Sequence, residues 1–200
     1  CDLPIIFKAS FGAVASGVRL FHDRDKLRRF VGKVFQRGIL PNGFDRRDRQ
    51  WGTVLLQEYI SVAKEWRLVR IGDSFFGHVK GSVGGFHSGS GVVEWDVPEE
   101  RHLNFLLEVT EKGRFRSMDV DVFETTDGRL LVNELQAVFG ASHSVDQMRK
   151  DGIAGRFVQK AGSSEWMFEP GDFARNACAN ERIRYLIACR SGAQSFGELL

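Results

Sequence analysis

The residues with the clearest chemical potential lie in the segment Ser117–Gln136, SMDVDVFETTDGRLLVNELQ. Asp121 precedes the pair Asp127-Gly128, and Glu134 and Gln136 follow it. Asp-Gly between two apolar runs predicts a hairpin with a tight primed turn, because glycine readily adopts the positive φ that such a turn needs. Strands that pair about this turn bring Asp121 close to Glu134 and Gln136. Residues two apart on a strand face the same side, so Glu134 and Gln136 are predicted to point together.

This group of side-chain oxygens predicts a site for a hard cation such as Mg²⁺, which prefers carboxylate and carbonyl ligands. The alternative is a hairpin whose charges lie on a solvated face, since antiparallel sheets often expose one polar face. Asp119, two residues before Asp121, either assists such a cation or only adds negative charge. The histidines have no partners at ligand spacing, so the sequence does not indicate zinc.

Composition narrows the class of protein. The chain has 200 residues with 28 Lys plus Arg against 26 Asp plus Glu, a balance that argues against general nucleic-acid binding. No apolar run reaches the roughly 20 residues of a membrane span. Three scattered cysteines fit a reducing compartment better than a secreted one. We therefore predict a cytoplasmic protein without nucleic-acid or membrane partners, and the oligomeric state stays open. Because the chain opens at Cys1 directly before a strand pattern, a missing upstream portion is one interpretation that the sequence leaves open.

Periodicity predicts a mixed α+β chain with one antiparallel sheet and helices packed against it. Ile183, Leu186 and Ile187 are predicted to face inward from the last helix, and the glycine-rich loop 81–91 is predicted to be mobile. The strand at 53–60 is predicted to be buried. Strands are predicted at 4–8, 18–21, 53–60, 65–71 and 74–80 and in the hairpin, and helices at 24–36, 98–112, 142–151 and 173–190.

A segment of small residues follows the first strand. That strand ends at Lys8, and the segment 9–17, ASFGAVASG, includes Gly12 and Ser16. Backbone N–H groups can approach an anion where side chains are small, so strand, loop and strand predict a flap over phosphate groups. It is not a Walker loop, because no Gly-Lys-Ser/Thr opens a helix. The alternative is an ordinary hairpin loop.

These stretches, in this order, resemble the nucleotide-binding core of the ATP-grasp superfamily, in particular the carboxylate–amine ligases of the glutathione synthetase and ribosomal-protein glutamate ligase type. The resemblance covers roughly residues 3–140 and implies an α+β ATP-grasp core without the usual N-terminal substrate lobe. It implies a first subdomain at 1–60 and a second at 61–140, followed by a C-terminal helical extension at 141–200.

The resemblance assigns nucleotide-binding roles to three of the stretches. Lys8 would be the ATP-phosphate lysine, with Gly12 and Ser16 in the phosphate flap. The end of LLQEYI would read the adenine ring, mainly through backbone groups, and Glu65 would bind the ribose hydroxyls. The positions implied around the adenine are Gln57, Glu58, Tyr59 and Ile60.

The hairpin would correspond to the metal site of the family. Asp121, Glu134 and Gln136 would hold Mg²⁺, although the family usually has Asn at the position of Gln136. Glutamine is one methylene longer but still offers a carbonyl oxygen. The cofactors implied by the resemblance are therefore ATP and Mg²⁺.

The resemblance implies a ligase in which ATP phosphorylates a carboxylate and an amine then displaces the phosphate. Its substrates would be small-molecule or peptide carboxylates and amines. Lys80 would reach the phosphates, or is a sheet-edge lysine. Arg67, beside the hinge strand, and Arg116, before the hairpin, are candidate catalytic cations, with a surface salt bridge as the alternative for Arg116. His87 is a candidate general base or only a polar contact.

Three other interpretations stay open. A phosphotransferase on the same core would leave the phosphate on its acceptor. A non-catalytic ATP-binding regulatory module would bind without turnover, and Gln136 and the start of the chain favour that interpretation somewhat. A plain globular domain without a nucleotide is the fourth possibility.

Overall fold

The structure is a computed structural model that describes residues 2–10, 16–41, 43–81, 93–94, 96–139, 148–174, 176 and 178–191. The chain divides into two compact units. The first contains the described residues up to Ser61, and the second contains those from Val62 onward. Each unit has its own sheet and its own hydrophobic core. None of the helices in these described ranges is long and apolar enough to cross a membrane.

The first unit is a three-stranded antiparallel sheet with one long helix. Asp23 caps the helix by accepting a hydrogen bond from the backbone N of Lys26 at 2.7 Å, and Gly38 ends it at a φ of 67°. The core of the unit is built on Phe7, Val34 and Ile39. Its elements are β1 (Ile5–Lys8), β2 (Val18–Phe21), α1 (Arg24–Arg37) and β3 (Leu55–Glu58), and the sheet has the order β2-β1-β3.

The strand β3 is shorter and more exposed than the sequence predicts. Leu55 is more than half exposed, and Leu56 is also exposed. Because β3 pairs only with β1, it is an edge strand of a small sheet and has one unpaired side among the described residues. The prediction of a buried strand over 53–60 is therefore wrong.

The second unit is built on one large sheet. Its elements are β4 (Val62–Ile71), β5 (Ser74–Lys80), β6 (Val93–Glu94), α2 (Glu100–Lys112), β7 (Ser117–Thr125), β8 (Leu130–Gln136), β9 (Arg149–Lys150), β10 (Ile153–Gln159), β11 (Trp166–Pro170) and α3 (Ala179–Ser191). The sheet has eight strands in the order β11-β10-β5-β4-β7-β8, with β6 paired to β5 and β9 paired to β10. The pairings are antiparallel. The α+β class is confirmed, although the described residues form two sheets rather than the single one predicted.

The core of this unit forms where α2 packs on the central strands. Leu103 and Leu106 recur at helical spacing and are buried. They join Leu68 of β4 and Val120 and Val122 of β7 in one apolar cluster. Alternation along the strands then turns the intervening residues of β4 and β7 to the opposite face of the sheet. The polar residues between these core positions therefore gather on the other face.

The turn between β7 and β8 differs from the predicted primed turn. The backbone N of Gly128 donates to the carbonyl of Thr125 at 2.9 Å, and the N of Thr125 donates to the carbonyl of Arg129 at 2.9 Å. Gly128 has a φ of 83°, and Asp127 is not among the described residues with positive φ. The loop is therefore a three-residue connection closed by a glycine. A bulge lies further along: the register changes between Asp121 and Val122, so that Asn133 is the extra residue of β8.

The C-terminal part is not the predicted helical extension. Residues 149–150 form β9, so the predicted helix over 142–151 is wrong at its end; positions 142–147 lie outside the described residues. The strand β10 joins the main sheet beside β5 through the pair Phe157 and Phe75. The glycine-rich loop predicted to be mobile lies outside the described residues from position 82 onward.

The last helix, α3, buries a different side from the one that the sequence predicts. It begins at Ala179 rather than near 173, and Ile183, Leu186 and Ile187 are each more than half exposed. The prediction that these residues face inward is wrong. The side that is buried carries Glu181, whose carboxylate accepts hydrogen bonds from Ser74 and Arg156.

Candidate functional site

One face of the larger sheet collects charged side chains where β5, β4, β7 and β8 lie side by side. Residues directly opposite in neighbouring antiparallel strands share a face. The register pairs Glu65 with Lys80, and Arg67 with Asp121. Asp119 is on the same face because it is two residues from Asp121. We call the following five side chains the ionic cluster: Glu65, Arg67, Lys80, Asp119 and Asp121.

Each cation of the ionic cluster lies against two carboxylates. Lys80 Nζ donates to Glu65 Oε1 at 3.0 Å and to Asp121 Oδ2. Arg67 Nε lies 3.0 Å from Asp119 Oδ2 and 3.3 Å from Asp121 Oδ1. The carboxylates are buried, whereas the side chains of Lys80 and Arg67 are 13% and 25% exposed. Asp121 therefore holds both cations, and Glu65 and Asp119 each hold one.

Asp119 is the least satisfied member of the ionic cluster. Both its carboxylate oxygens are buried and accept no hydrogen bond from the described residues, although Arg67 Nε is at ion-pair distance. Burial raises the pKa of Asp119 to about 7, and the charge of Asp121 adds to this rise while Arg67 and Lys80 oppose it. A carboxylate in this position costs the fold stability, since it is desolvated without donors.

His78 lies on the same face, opposite Arg67. Burial lowers the pKa of His78 to about 4, and the positive charges of Arg67 and Lys80 lower it further. The imidazole is therefore neutral at pH 7. The positive charge of this face at neutral pH comes from Arg67 and Lys80.

The three predicted metal ligands lie on the adjacent strands β7 and β8, and one of them, Asp121, belongs to the ionic cluster. Glu134 is the register partner of Asp121, and Gln136 is the partner of Asp119. Gln136 Nε2 donates to Asp121 Oδ2 at 3.4 Å. Within the described ranges, no group of three His, Cys, Asp or Glu side chains is arranged to hold a metal ion. Two carboxylates and an amide carbonyl on adjacent strands nevertheless have the donor chemistry of an Mg²⁺ site, and the orphaned oxygens of Asp119 lie beside them.

The first unit contains the residues predicted to contact the phosphates. Lys8 ends β1 and is half-buried. Ser16 is half-buried as well, and its hydroxyl is buried without a hydrogen-bond partner in the described part of the chain. Gly12 lies outside the described residues. Each of these phosphate-binding roles stays a prediction.

The residues predicted around the adenine lie on and just after β3. Gln57 and Ile60 are half-buried, and Glu58 and Tyr59 are exposed. The backbone N of Tyr59 donates to the carbonyl of Pro4 at 3.3 Å. The outer side of β3 has no strand partner among the described residues, and such an edge presents backbone N–H and C=O groups to a ligand.

One candidate catalytic residue, Arg116, is not part of the ionic cluster. Arg116 Nη1 donates to Glu111 Oε1 at 2.7 Å, and Glu111 also pairs with Arg70. Arg116 lies directly before β7, whereas Asp121 is in the middle of that strand, and Arg116 forms an exposed salt bridge. His87 lies outside the described residues.

An open cleft of about 610 Å³ lies elsewhere in the second unit. Leu103, Phe157 and Trp166 contribute apolar surface to it, and Lys150 and Glu165 contribute charge. It includes none of the predicted site residues. The candidate site therefore rests on the charged face of the sheet and not on this cleft.

Comparisons with known proteins find likeness in structure only. No protein-family model and no curated protein matches the chain. The biotin carboxylase domain of 2-oxoglutarate carboxylase from Hydrogenobacter thermophilus, solved with MgADP, ADP and bicarbonate, is 17% identical with a TM-score of 0.51. That match covers 71% of this chain and 32% of the solved chain.

N5-carboxyaminoimidazole ribonucleotide synthetases also match. One solved with ADP is 15% identical over 67% of this chain and 34% of its own, with a TM-score of 0.45. The enzyme from Thermotoga maritima is 17% identical over 68% and 32%, with a TM-score of 0.38. The chain thus spans about a third of the length of the solved chains that it matches.

Proposed function

From the ATP-grasp fold that the chain shares with the biotin carboxylase domain, we propose that it is the nucleotide-binding core of an ATP-dependent ligase. ATP would activate a carboxylate as an acyl-phosphate, and an amine would then displace the phosphate. The observation that carries this proposal is the ionic cluster, in which buried carboxylates hold Arg67 and Lys80 beside the proposed metal ligands. The biotin carboxylase domain was solved with MgADP, which supports ATP and Mg²⁺ as the cofactors.

Mg²⁺ would be held by Asp121, Glu134 and Gln136. When bound, it neutralises charge on the transferred phosphate group. Asp121 is also the carboxylate shared by Arg67 and Lys80, so metal binding changes the charge balance around both cations. The two side chains remain beside the metal ligands as fixed donors for anionic oxygens.

The other residues of the proposed site position the nucleotide and the acyl-phosphate. Lys8 would place a positive charge on the phosphates, next to the flap that contains Gly12 and Ser16. Arg67 and Lys80 would stabilise the charge that develops during transfer, because they are pre-positioned by buried carboxylates. The exposed edge of β3 suits adenine recognition by backbone groups, as proposed for residues 57–60.

For Glu65 we propose a first role other than the ribose binding that the resemblance implies. Its buried carboxylate accepts a hydrogen bond from Lys80, which supports a role in orienting that lysine. Binding of the ribose by Glu65 stays a second proposal. Arg116 and His87 are proposed as catalytic residues on the resemblance alone.

A non-catalytic nucleotide-binding module is the second candidate function. The observation that favours it is the orientation of Gln136, whose amide NH₂ rather than its carbonyl faces Asp121. In such a module Mg²⁺ and ATP would bind without phosphate release. A phosphotransferase on the same core would transfer phosphate to a single acceptor.

Thermal melting tests the nucleotide site. ATP with Mg²⁺ at a hundredfold excess over its dissociation constant is expected to stabilise the chain by about 2.7 kcal/mol, or roughly 5–10 °C for a domain of this size. The shift requires Mg²⁺ and is reduced in Glu134→Ala. Glu108→Ala, which removes an exposed carboxylate from α2, is the matched control and keeps the full shift. No shift in the unaltered chain contradicts nucleotide binding.

Phosphate release then separates the candidate functions. A ligase releases phosphate from ATP only when a carboxylate and an amine are both present. A phosphotransferase consumes ATP with one acceptor and leaves the phosphate on it. Binding without consumption of ATP under any of these conditions selects the module.

A further inference from the structure

We infer that Asp119 is a positioning residue that holds Arg67 in place when Asp121 turns to a metal cation. The role of the metal rests on the proposed function, whereas the contact between Asp119 and Arg67 is a property of this chain. No sequence motif identifies Asp119, because its importance depends on the strand opposite it.

The geometry gives Arg67 two anchors at a single atom. Its Nε lies 3.0 Å from Asp119 and 3.3 Å from Asp121, and both carboxylates project from the same face of β7. Arg67 is the direct cross-strand partner of Asp121, whereas the partner of Asp119 is Val69. The arginine therefore leans along β4 to bring Nε between the two carboxylates. Two anchors at Nε fix the plane in which the terminal nitrogens of the guanidinium lie.

The ionic cluster repeats this arrangement around its second cation. Lys80 is held by Glu65 and Asp121, just as Arg67 is held by Asp119 and Asp121. Asp121 is the shared carboxylate of both pairs. If Asp121 coordinates a metal, Glu65 still holds Lys80 and Asp119 still holds Arg67. Glu65 and Asp119 thus keep Lys80 and Arg67 in position when the contacts of Asp121 change.

Stability alone does not explain an aspartate at position 119. Its oxygens are buried and accept no hydrogen bond from the described residues, and its cross-strand neighbours are Val69 and Gln136. A neutral side chain of the same shape would avoid both the desolvation of the carboxylate and its repulsion by Asp121. A residue that violates a folding rule without a stability gain is typical of a functional site.

Nuclear magnetic resonance of the Arg67 Nε–H group tests the inference without a nucleotide. The exchange rate of this proton with solvent is compared between the unaltered chain and Asp121→Asn, which removes the negative charge of the shared anchor. We expect the proton to stay protected in Asp121→Asn, because the carboxylate of Asp119 remains. In the double variant Asp119→Asn/Asp121→Asn we expect exchange to accelerate by about tenfold or more, because no ion pair then remains at Nε.

Thermal melting of the same variants separates positioning from folding. Asp119→Asn is expected to melt at the same temperature as the unaltered chain or higher, and Glu108→Gln on α2 is the control for a carboxylate outside the ionic cluster. Equal exchange in Asp121→Asn and the double variant overturns the inference, as does a lower melting temperature of Asp119→Asn. If protection follows the expected order while ATP and Mg²⁺ fail to bind, the contact stands and only the proposed function fails.

Discussion

His78 makes the stability of the chain depend on pH. Its side chain is only 8% exposed and lies opposite Arg67, and burial lowers its pKa from 6.5 to about 4. In the unfolded chain the imidazole regains the ordinary pKa near 6.5. As the pH falls below 6.5, the unfolded state therefore binds a proton that the folded state does not. Stability contributed by neutral His78 is complete above pH 6.5 and is lost as the pH falls toward 4.

The magnitude follows from the difference between the two pKa values. A shift of one unit corresponds to about 1.4 kcal/mol, so a difference of about 2.5 units corresponds to roughly 3 kcal/mol once the pH reaches 4. At pH 5 the loss is about 2 kcal/mol, because the unfolded imidazole is almost fully protonated there and the folded one is still mostly neutral. Replacement of His78 by glutamine removes this titration and leaves an uncharged polar side chain.

Urea unfolding at pH 7.5, 6 and 5 measures the effect. The free energy of unfolding of the unaltered chain should fall by about 2 kcal/mol more than that of His78→Gln between pH 7.5 and 5. His22→Gln is the matched control, since His22 is exposed on the first unit and keeps its hydration on folding. Parallel pH profiles for His78→Gln and the unaltered chain refute the burial argument.

Four further substitutions test the fold. Leu106→Ala removes a fully buried side chain of α2 and should lower the free energy of unfolding by about 3 kcal/mol in urea; a loss below about 1 kcal/mol would mean that this core is not packed as described. Gly128→Ala should lower the free energy of unfolding by about 1–2 kcal/mol. The cause is the φ of 83° alone, since a Cβ at this position meets nothing within 4 Å. An unchanged melting temperature would exclude the positive φ. Leu186→Gln should change the free energy of unfolding by less than about 0.5 kcal/mol, because Leu186 is 60% exposed. Glu181→Gln should lower it by about 3 kcal/mol, because the buried carboxylate accepts a hydrogen bond from Arg156. The reverse order in urea unfolding would show that the opposite side of α3 is buried.

Local signals predicted the elements that build the site. The predicted strands at 65–71 and 74–80 leave Gly72-Asp73 between them, and the observed turn at that pair sets Glu65 opposite Lys80. The same counting about Asp127-Gly128 sets Asp121 opposite Glu134, which is also observed although the turn itself differs. Turn chemistry acts over a few residues, so the sequence contains this information directly.

Contacts between distant segments were not predictable in the same way. The strand β10 joins the sheet because Phe157 pairs with Phe75, and no local pattern links two segments so far apart in the chain. Such pairings depend on contacts between segments that are distant in the sequence.

At two positions a charged side chain is buried where the hydrophobic pattern of the sequence predicts that it is exposed. The helix α3 buries Glu181 because Ser74 and Arg156 donate to it, and its apolar residues are left outside. Asp119 is also buried, at ion-pair distance from Arg67 on another strand, although it accepts no hydrogen bond from the described residues. A charged residue is predicted to be exposed unless its partner is known, and the partner is known only from the fold.

The bulge at Asn133 gives the hairpin two ways to close around one acidic pair. A two-residue turn without a bulge and a three-residue loop with one both place Asp121 opposite Glu134, because the bulge residue of β8 offsets the additional residue of the loop. A slip of one residue near Gly128 therefore leaves the carboxylates opposite each other. The register of the two carboxylates therefore does not depend on the turn at Gly128. Sequence variation in that turn is expected to leave Asp121 opposite Glu134.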